Sequence, residues 1–224
     1  MEKNSGKNSL SKKSKYPVYI GIVMDPDSQS KFINSTINSF KILKEKYLEL
    51  DGDYKEFVTL ILDGSSDLKE NLSYNLQRFF HITTLFLGRK NSPNYGNLVN
   101  TYLSLRNKIE NSSEIQFKFL GFVMITKKIF TCLVATEEKC QNKIPHITIY
   151  SSKEYSPKDS NVILNELFGE NKVLEKEYED IVNSKTTEFI DKIQTKIKEK
   201  DEIIYVYLFN NDSNFSGVLK EFFY

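Results

Sequence analysis

Two hydrophobic periods alternate along the chain. From Tyr16 to Met24 the residues are β-branched and aromatic, and Asp25-Pro26-Asp27 closes the run as a turn, so a strand is expected. Ile33, Ile37, Phe40, Leu43 and Tyr47 then fall three or four apart, the spacing of one helix face, and Gly52 follows them. Phe57 to Leu62 reads as a strand ended by Asp63-Gly64, Leu68 to Gln77 as a short helix, and Phe79 to Leu87 as another strand. Leu98, Tyr102, Leu105 and Ile109 mark a further helix.

The second half repeats this plan loosely. Ile115–Ile125 and Ile129–Ala135 predict a hairpin turning at Lys127-Lys128, and Ile144–Tyr150 predicts a strand. Asp159 reads as the N-cap of a helix through Leu167, with Gly169 as its stop. Phe189, Ile190, Ile193 and Ile197 predict a helix with solvated lysines and glutamates between them. Ile203–Phe209 and Gly217–Tyr224 predict the last strands. Helices and strands mix in both halves, which predicts an α+β protein of two similar lobes, roughly 16–112 and 113–224, around a cleft. Residues 1–15 are expected to be a disordered basic tail: Lys3, Lys7, Lys12, Lys13 and Lys15 stand among Ser and Asn, with too little apolar surface to offset the entropy of ordering.

Composition narrows the function. Hydrophobic residues make up 39% and charged residues 27% of 224, as in a water-soluble globular domain. A net charge of +1 gives no global field for nucleic acid, so a small substrate or the end of a longer one is expected rather than a long duplex. The longest apolar stretch, Phe117–Ala135, is interrupted by Lys127 and Lys128, so no membrane span is expected. Cys132 and Cys140 suit neither a disulfide scaffold nor a zinc site; two reduced thiols in a cytoplasmic protein are expected.

The chemistry is concentrated in the histidines. The chain has two, His81 and His146, and each is followed by Ile and then Thr. Threonine is very roughly 5–6% of an average protein, so a matching Thr after both has a chance on the order of one in a few hundred. On a strand, residues i and i+2 share a face. His81 with Thr83, and His146 with Thr148, would each offer an imidazole and a hydroxyl to one surface, while Ile82 and Ile147 turn into a core. Two imidazoles can supply a base and an acid near neutral pH, and two hydroxyls can donate to phosphate oxygens as charge builds there. No metal or other cofactor is required by such a set.

These motifs resemble the 2H phosphoesterase superfamily, named for two H-x-[Thr/Ser] motifs. Pro145-His146-Ile147-Thr148-Ile149-Tyr150 with Ser156-Pro157-Lys158-Asp159-Ser160-Asn161 resembles the second motif of the cyclic phosphodiesterase domain in fungal and plant tRNA ligases. Phe80-His81-Ile82-Thr83-Thr84 resembles their first motif and that of the myelin 2′,3′-cyclic-nucleotide phosphodiesterase. The resemblance, from about Tyr16 to the end, implies a two-lobed pseudo-symmetric fold, antiparallel sheets around a central cleft with helices outside. It implies hydrolysis of 2′,3′-cyclic phosphate at RNA 3′ ends or on nucleotides to a 2′-phosphate, with His81 and His146 catalytic and Thr83 and Thr148 on the phosphate. Other branches cleave 2′,5′-linked oligoadenylates or cyclic dinucleotides, and a catalytically silent RNA-end binding module is a further alternative. No P-loop of the G-x-x-x-x-G-K-[Ser/Thr] type occurs in the sequence, so a polynucleotide kinase activity is not expected of it.

Around the motifs, Arg89, Lys90, Lys127 and Lys128 are candidates to approach a phosphate. Phe122, Phe130 and Tyr150 are candidates to stack on a base, and Tyr150 leads because it is two residues past Thr148. Ser156–Asn161 is expected to shape the turn and cap the next helix rather than meet substrate.

Overall fold

The computed structural model describes residues 16–62, 75–76, 80–88, 94–210 and 213–223. Strand β1 (Tyr19–Met24) buries Ile20, Ile22 and Met24 on alternate positions. Asp25 caps helix α1 (Pro26–Lys46), its carboxylate accepting the Ser28 amide at 2.8 Å, with Pro26 in the first turn and Lys44 and Lys46 in the last. A 3₁₀ turn (Leu48–Leu50) leads into α2 (Asp51–Leu62). Then come β2 (Asn75–Leu76), β3 (His81–Phe86), α3 (Tyr95–Glu110), β4 (Glu114–Ile125), β5 (Ile129–Thr136) and β6 (His146–Ser151). Helices α4 (Asp159–Glu170) and α5 (Lys172–Val182) follow, and β7 (Glu188–Ile197), β8 (Lys200–Phe209) and β9 (Asn214–Phe222) complete the order.

Among the described residues the nine strands form one antiparallel sheet, ordered β2-β6-β5-β4-β9-β1-β3, with β8 also on β4 and β7 on β8. The sheet forks at β4. Residues 114–118 of β4 pair with β9, and residues 121–125 pair with β8. Gly121 sits at the fork with φ of 131°, and a Cβ there would collide with the Tyr207 carbonyl, so only glycine suits this position. The C-terminal strand β9 lies between β4 and β1, so the sheet of the N-terminal half is completed by the last residues described, across the expected division near residue 112.

Each face of the sheet carries its own core. On one, Phe32, Phe40 and Leu43 of α1 and Phe57 of α2 pack with Phe119, Phe122 and Phe130. On the other, Leu164 and Phe168 of α4 and Ile181 of α5 cover Leu133, Ile204 and Val206. Fully burying one such side chain is worth roughly 1.5–3 kcal/mol. The α4–α5 pair touches β5, β6 and β8, and the cleft opens between the start of α4 and strands β1 and β3.

Several element assignments differ from the sequence reading. Phe57–Leu62 is the end of helix α2: Asp51 pairs with Lys55 one turn on at 2.6 Å, and Phe57 and Leu60, three apart, face the core. Residues 188–197 form strand β7, paired with β8 along its whole length. Asp159 is the first residue of α4 rather than its cap, and that helix runs through Gly169 to Glu170. Helix α5 was not foreseen, although Asn171 caps it through the Val173 and Leu174 amides and Leu174, Tyr178 and Ile181 keep helical spacing. Most of the helix expected over Leu68–Gln77 lies outside the described residues, and its Asn75 and Leu76 form β2. Among the described residues no helix is long and apolar enough to cross a membrane.

Candidate active site

On β3, Ile82 points into the core while His81 and Thr83 face the opposite side. On β6, Ile147 does the same between His146 and Thr148. Strands β3 and β6 approach one another without pairing in the sheet. All four residues line one cleft of about 610 Å³, within the range of small-molecule sites. Its remaining wall comes from Tyr19 and Phe86, from Gln141 and Asn142 of the β5–β6 loop, and from Pro157, Lys158 and Asn161 at the start of α4.

The two motifs share a local device. Opposite β1, residue Thr84 is extra in the register, since Gly21 faces Thr83 and Ile20 faces Leu85. Opposite β5, residue Ile149 is extra, since Thr131 faces Thr148 and Phe130 faces Tyr150. Each bulge falls three residues after its histidine and resets the alternation. Tyr150 is therefore not beside Thr148. Its ring is 5% exposed in the core, 6.3 Å from Phe57 and 6.0 Å from Phe130, and it does not line the cleft. Phe122 and Phe130 are also wholly buried. The aromatic side chains that do face the cleft are Tyr19, which stacks on His81, and Phe86, which is 53% exposed. Phe86 lies past the Thr84 bulge, a feature without a signature in the sequence.

The histidines sit differently. The His81 ring is half-buried and leans over Gly21, where an added Cβ would come within 3.1 Å of its Cδ2 and 3.0 Å of the Ile82 oxygen. It stacks on Tyr19 at 5.2 Å and lies 5.3 Å from Phe222, while Tyr19 and Phe222 stack on each other at 4.3 Å. His146 is 8% exposed, and its Nδ1 lies 2.8 Å from the Ile144 carbonyl. A carbonyl can only accept, so Nδ1 carries the proton and Nε2 of the neutral ring holds a lone pair. Burial lowers the pKa of His146 from its ordinary value; the Ile144 bond opposes this and the nearby His81 charge adds to it. The neutral form is thus favoured.

Hydroxyls and a loop complete the site. Thr148 Oγ1 is 2.8 Å from Ser160 Oγ and 3.4 Å from the Pro157 carbonyl. Ser156–Asn161 does shape the turn, with the Ser156 amide and hydroxyl on the Asp159 carboxylate at 2.6 and 2.9 Å, and it also walls the cleft. Gln141 straps the β5–β6 loop to β3: its main-chain amide donates to the Thr84 carbonyl and its side-chain oxygen accepts from the Phe86 main-chain amide, both at 2.8 Å. Lys128 is held by buried Glu202 at 2.7 Å, and Lys127 lies at the hairpin tip near Asp53 and Glu56, so neither lines the cleft. Arg89 and Lys90 lie outside the described residues. Among the described residues no three His, Cys, Asp or Glu side chains converge as metal ligands would.

Comparison with known proteins bears on the fold and the family. No curated protein matches the chain by sequence. Among solved structures, one titled as a fungal RNA kinase superposes with a TM-score of 0.53 at 17% identity, covering 95% of this chain, which spans 47% of that one. At that identity the likeness concerns the fold, and the α+β architecture is shared. The family model of the fungal tRNA ligase phosphodiesterase domain matches residues 1–197, and the chain belongs to that family of 2H phosphoesterases.

Proposed function

We propose that the chain hydrolyses a 2′,3′-cyclic phosphate, at an RNA 3′ end or on a nucleotide, to a 2′-phosphate, by acid–base catalysis from two histidines without a metal. The observation that carries this is the meeting of both His-x-Thr pairs on one nucleotide-sized cleft. Family membership supports phosphodiester chemistry, and the cleft supports its details.

His146 is the base. Its neutral form is favoured and its Nε2 lone pair is available to take a proton from water. The water oxygen bonds to phosphorus as the bond from phosphorus to O3′ breaks. His81 supplies the proton that O3′ takes on leaving. The hydroxyls of Thr83 and Thr148 donate to the non-bridging oxygens, whose charge grows on the way to the transition state. Phe86, exposed on the cleft wall, offers a face for the base of the terminal nucleotide.

The test is turnover of adenosine 2′,3′-cyclic phosphate in EDTA, with product identification. The expected product is the 2′-phosphate, and His81→Ala and His146→Ala are each expected to lose about 10²–10⁴ in kcat. Full activity in either variant refutes its role. Turnover confined to 2′,5′-oligoadenylate or a cyclic dinucleotide keeps the machinery and changes the substrate. Binding of RNA ends that survives in both variants, without product from any substrate, marks a silent binding module.

A further inference from the structure

We propose that Ser160 and Thr131 are positioning residues, forming a hydroxyl relay that turns the Thr148 proton into the cleft. This rests on the proposed role of Thr148 on the phosphate. Thr131 stands on β5 directly across from Thr148 on β6, and Ser160 lies in the first turn of α4. Thr131 Oγ1 donates to Ser160 Oγ at 2.6 Å, Ser160 Oγ meets Thr148 Oγ1 at 2.8 Å, and Thr148 donates to the Pro157 carbonyl at 3.4 Å. Neither Thr131 nor Ser160 lines the cleft; they are 3% and 1% exposed. They can reach the substrate only through Thr148.

The direction of the relay follows from counting protons. A hydroxyl has one proton to give and two lone pairs. The Thr131 proton is committed to Ser160. Ser160 then gives its own proton along its other contact, to the Thr148 oxygen. Thr148 has received there, so its proton must point elsewhere. The acceptor it meets is the Pro157 carbonyl, and 3.4 Å is long for a hydroxyl donor, whose bonds centre near 2.7–2.8 Å. An anionic phosphate oxygen at ordinary distance is the better acceptor. Donation in series also polarises each hydroxyl for the next. If the role were structural only, two buried hydroxyls could satisfy one another. The third link is what delivers a donor to the cleft.

The test is a double-mutant cycle on turnover of adenosine 2′,3′-cyclic phosphate. Ser160→Ala is expected to lower kcat about tenfold with KM within about twofold, a fraction of what a lost transition-state donor costs. Thr131→Val, nearly isosteric, is expected to lower kcat two- to fivefold with an unchanged thermal midpoint, and Ser160→Thr to restore most of the loss. In a Thr148→Val background, Ser160→Ala is expected to add less than about twofold, because nothing remains for the relay to orient. Full losses in that background, or wild-type kcat in a folded Ser160→Ala protein, overturn the relay while leaving the proposed function standing. If the wild type shows no turnover, the proposed function fails, and the cycle is read in the Kd of adenosine 2′-monophosphate by calorimetry. Weakened binding in Ser160→Ala that vanishes in the Thr148→Val background then supports the relay. Uncoupled effects, or no binding at all, overturn it.

Discussion

His81 and His146 carry the same tripeptide into unlike surroundings, and the difference underlies the separate roles proposed for them. His146 is nearly sealed, bonded through Nδ1, with its pKa held below the ordinary 6.5 chiefly by burial. Between that depressed value and 6.5 the unfolded chain binds a proton that the folded chain refuses. Stability from this group is therefore complete above 6.5 and is lost as pH falls through the window. The thermal midpoint is expected to drop between about pH 7 and about pH 5, and to drop less in His146→Gln. Equal slopes in the two proteins would show that His146 does not carry the effect. By the same reasoning, if His146 is the base as proposed, the acid limb of kcat/KM is expected below 6.5, since it stays unprotonated to lower pH than ordinary histidine. His81 depends instead on room. Gly21→Ala is expected to cost about 1–2 kcal/mol by crowding Ile82 and the His81 ring, and to lower kcat more than it raises KM. Both histidines and both threonines were legible in the sequence because the two-residue alternation that aligns them is local. The contacts of Gly21, Ser160 and Thr131 with these residues were not, because they come from what the fold places against them.

At the scale of elements, the twin bulges decide which residues reach the site. Alternation from His146 sends Tyr150 to the cleft, and the extra Ile149 returns it to the core. A bulge is a matter of pairing between strands, so a single strand's sequence does not announce it. Strand β7 shows a second limit. Phe189, Ile193 and Ile197 are four apart, which fits one face of a helix and one face of a strand alike. Pairing with β8 settles it, through a turn at Lys198 and Glu199 with φ of 50° and 66°, where the residues give no glycine signal. Helix α2 failed in the opposite sense, because its β-branched end reads as a strand until α1 supplies a surface for Phe57 and Leu60. The fork in β4 makes the sharpest prediction here. Gly121→Ala places a Cβ against the Tyr207 carbonyl at a φ that side chains rarely adopt, so a loss of about 3 kcal/mol or more, or failure to fold, is expected. Urea unfolding measures it, and a loss under about 1 kcal/mol would mean that β4 and β8 can part without the sheet failing.

The whole molecule must hold together two motif strands that the sheet does not pair. Strand β3 ends one side of the strand order and β6 is next to the other end, so their approach depends on the forked, twisted sheet and on what bridges its ends. Gln141 is such a bridge, with one hydrogen bond at each end of the Thr84–Phe86 segment, made from a loop that runs directly into the His146 strand. The Phe86 amide depends on a side chain and the Thr84 carbonyl on a main-chain amide, so substitution at Gln141 separates them. Gln141→Ala keeps the main-chain bond and releases the Phe86 amide at the edge of β3. An exposed hydrogen bond is worth about 0.5–1.5 kcal/mol, so the Phe86 wall should loosen without unfolding the sheet. The expected result is a KM raised about three- to tenfold for the cyclic phosphate, with kcat within about twofold because neither imidazole has lost a contact. Hydrogen exchange at the Phe86 amide should rise by a similar factor while that at Ile82, deeper in β3, stays slow. Unchanged exchange at Phe86 would show that the strap is not what fixes this wall. A fall in kcat as large as the rise in KM would show that it aligns the histidines as well.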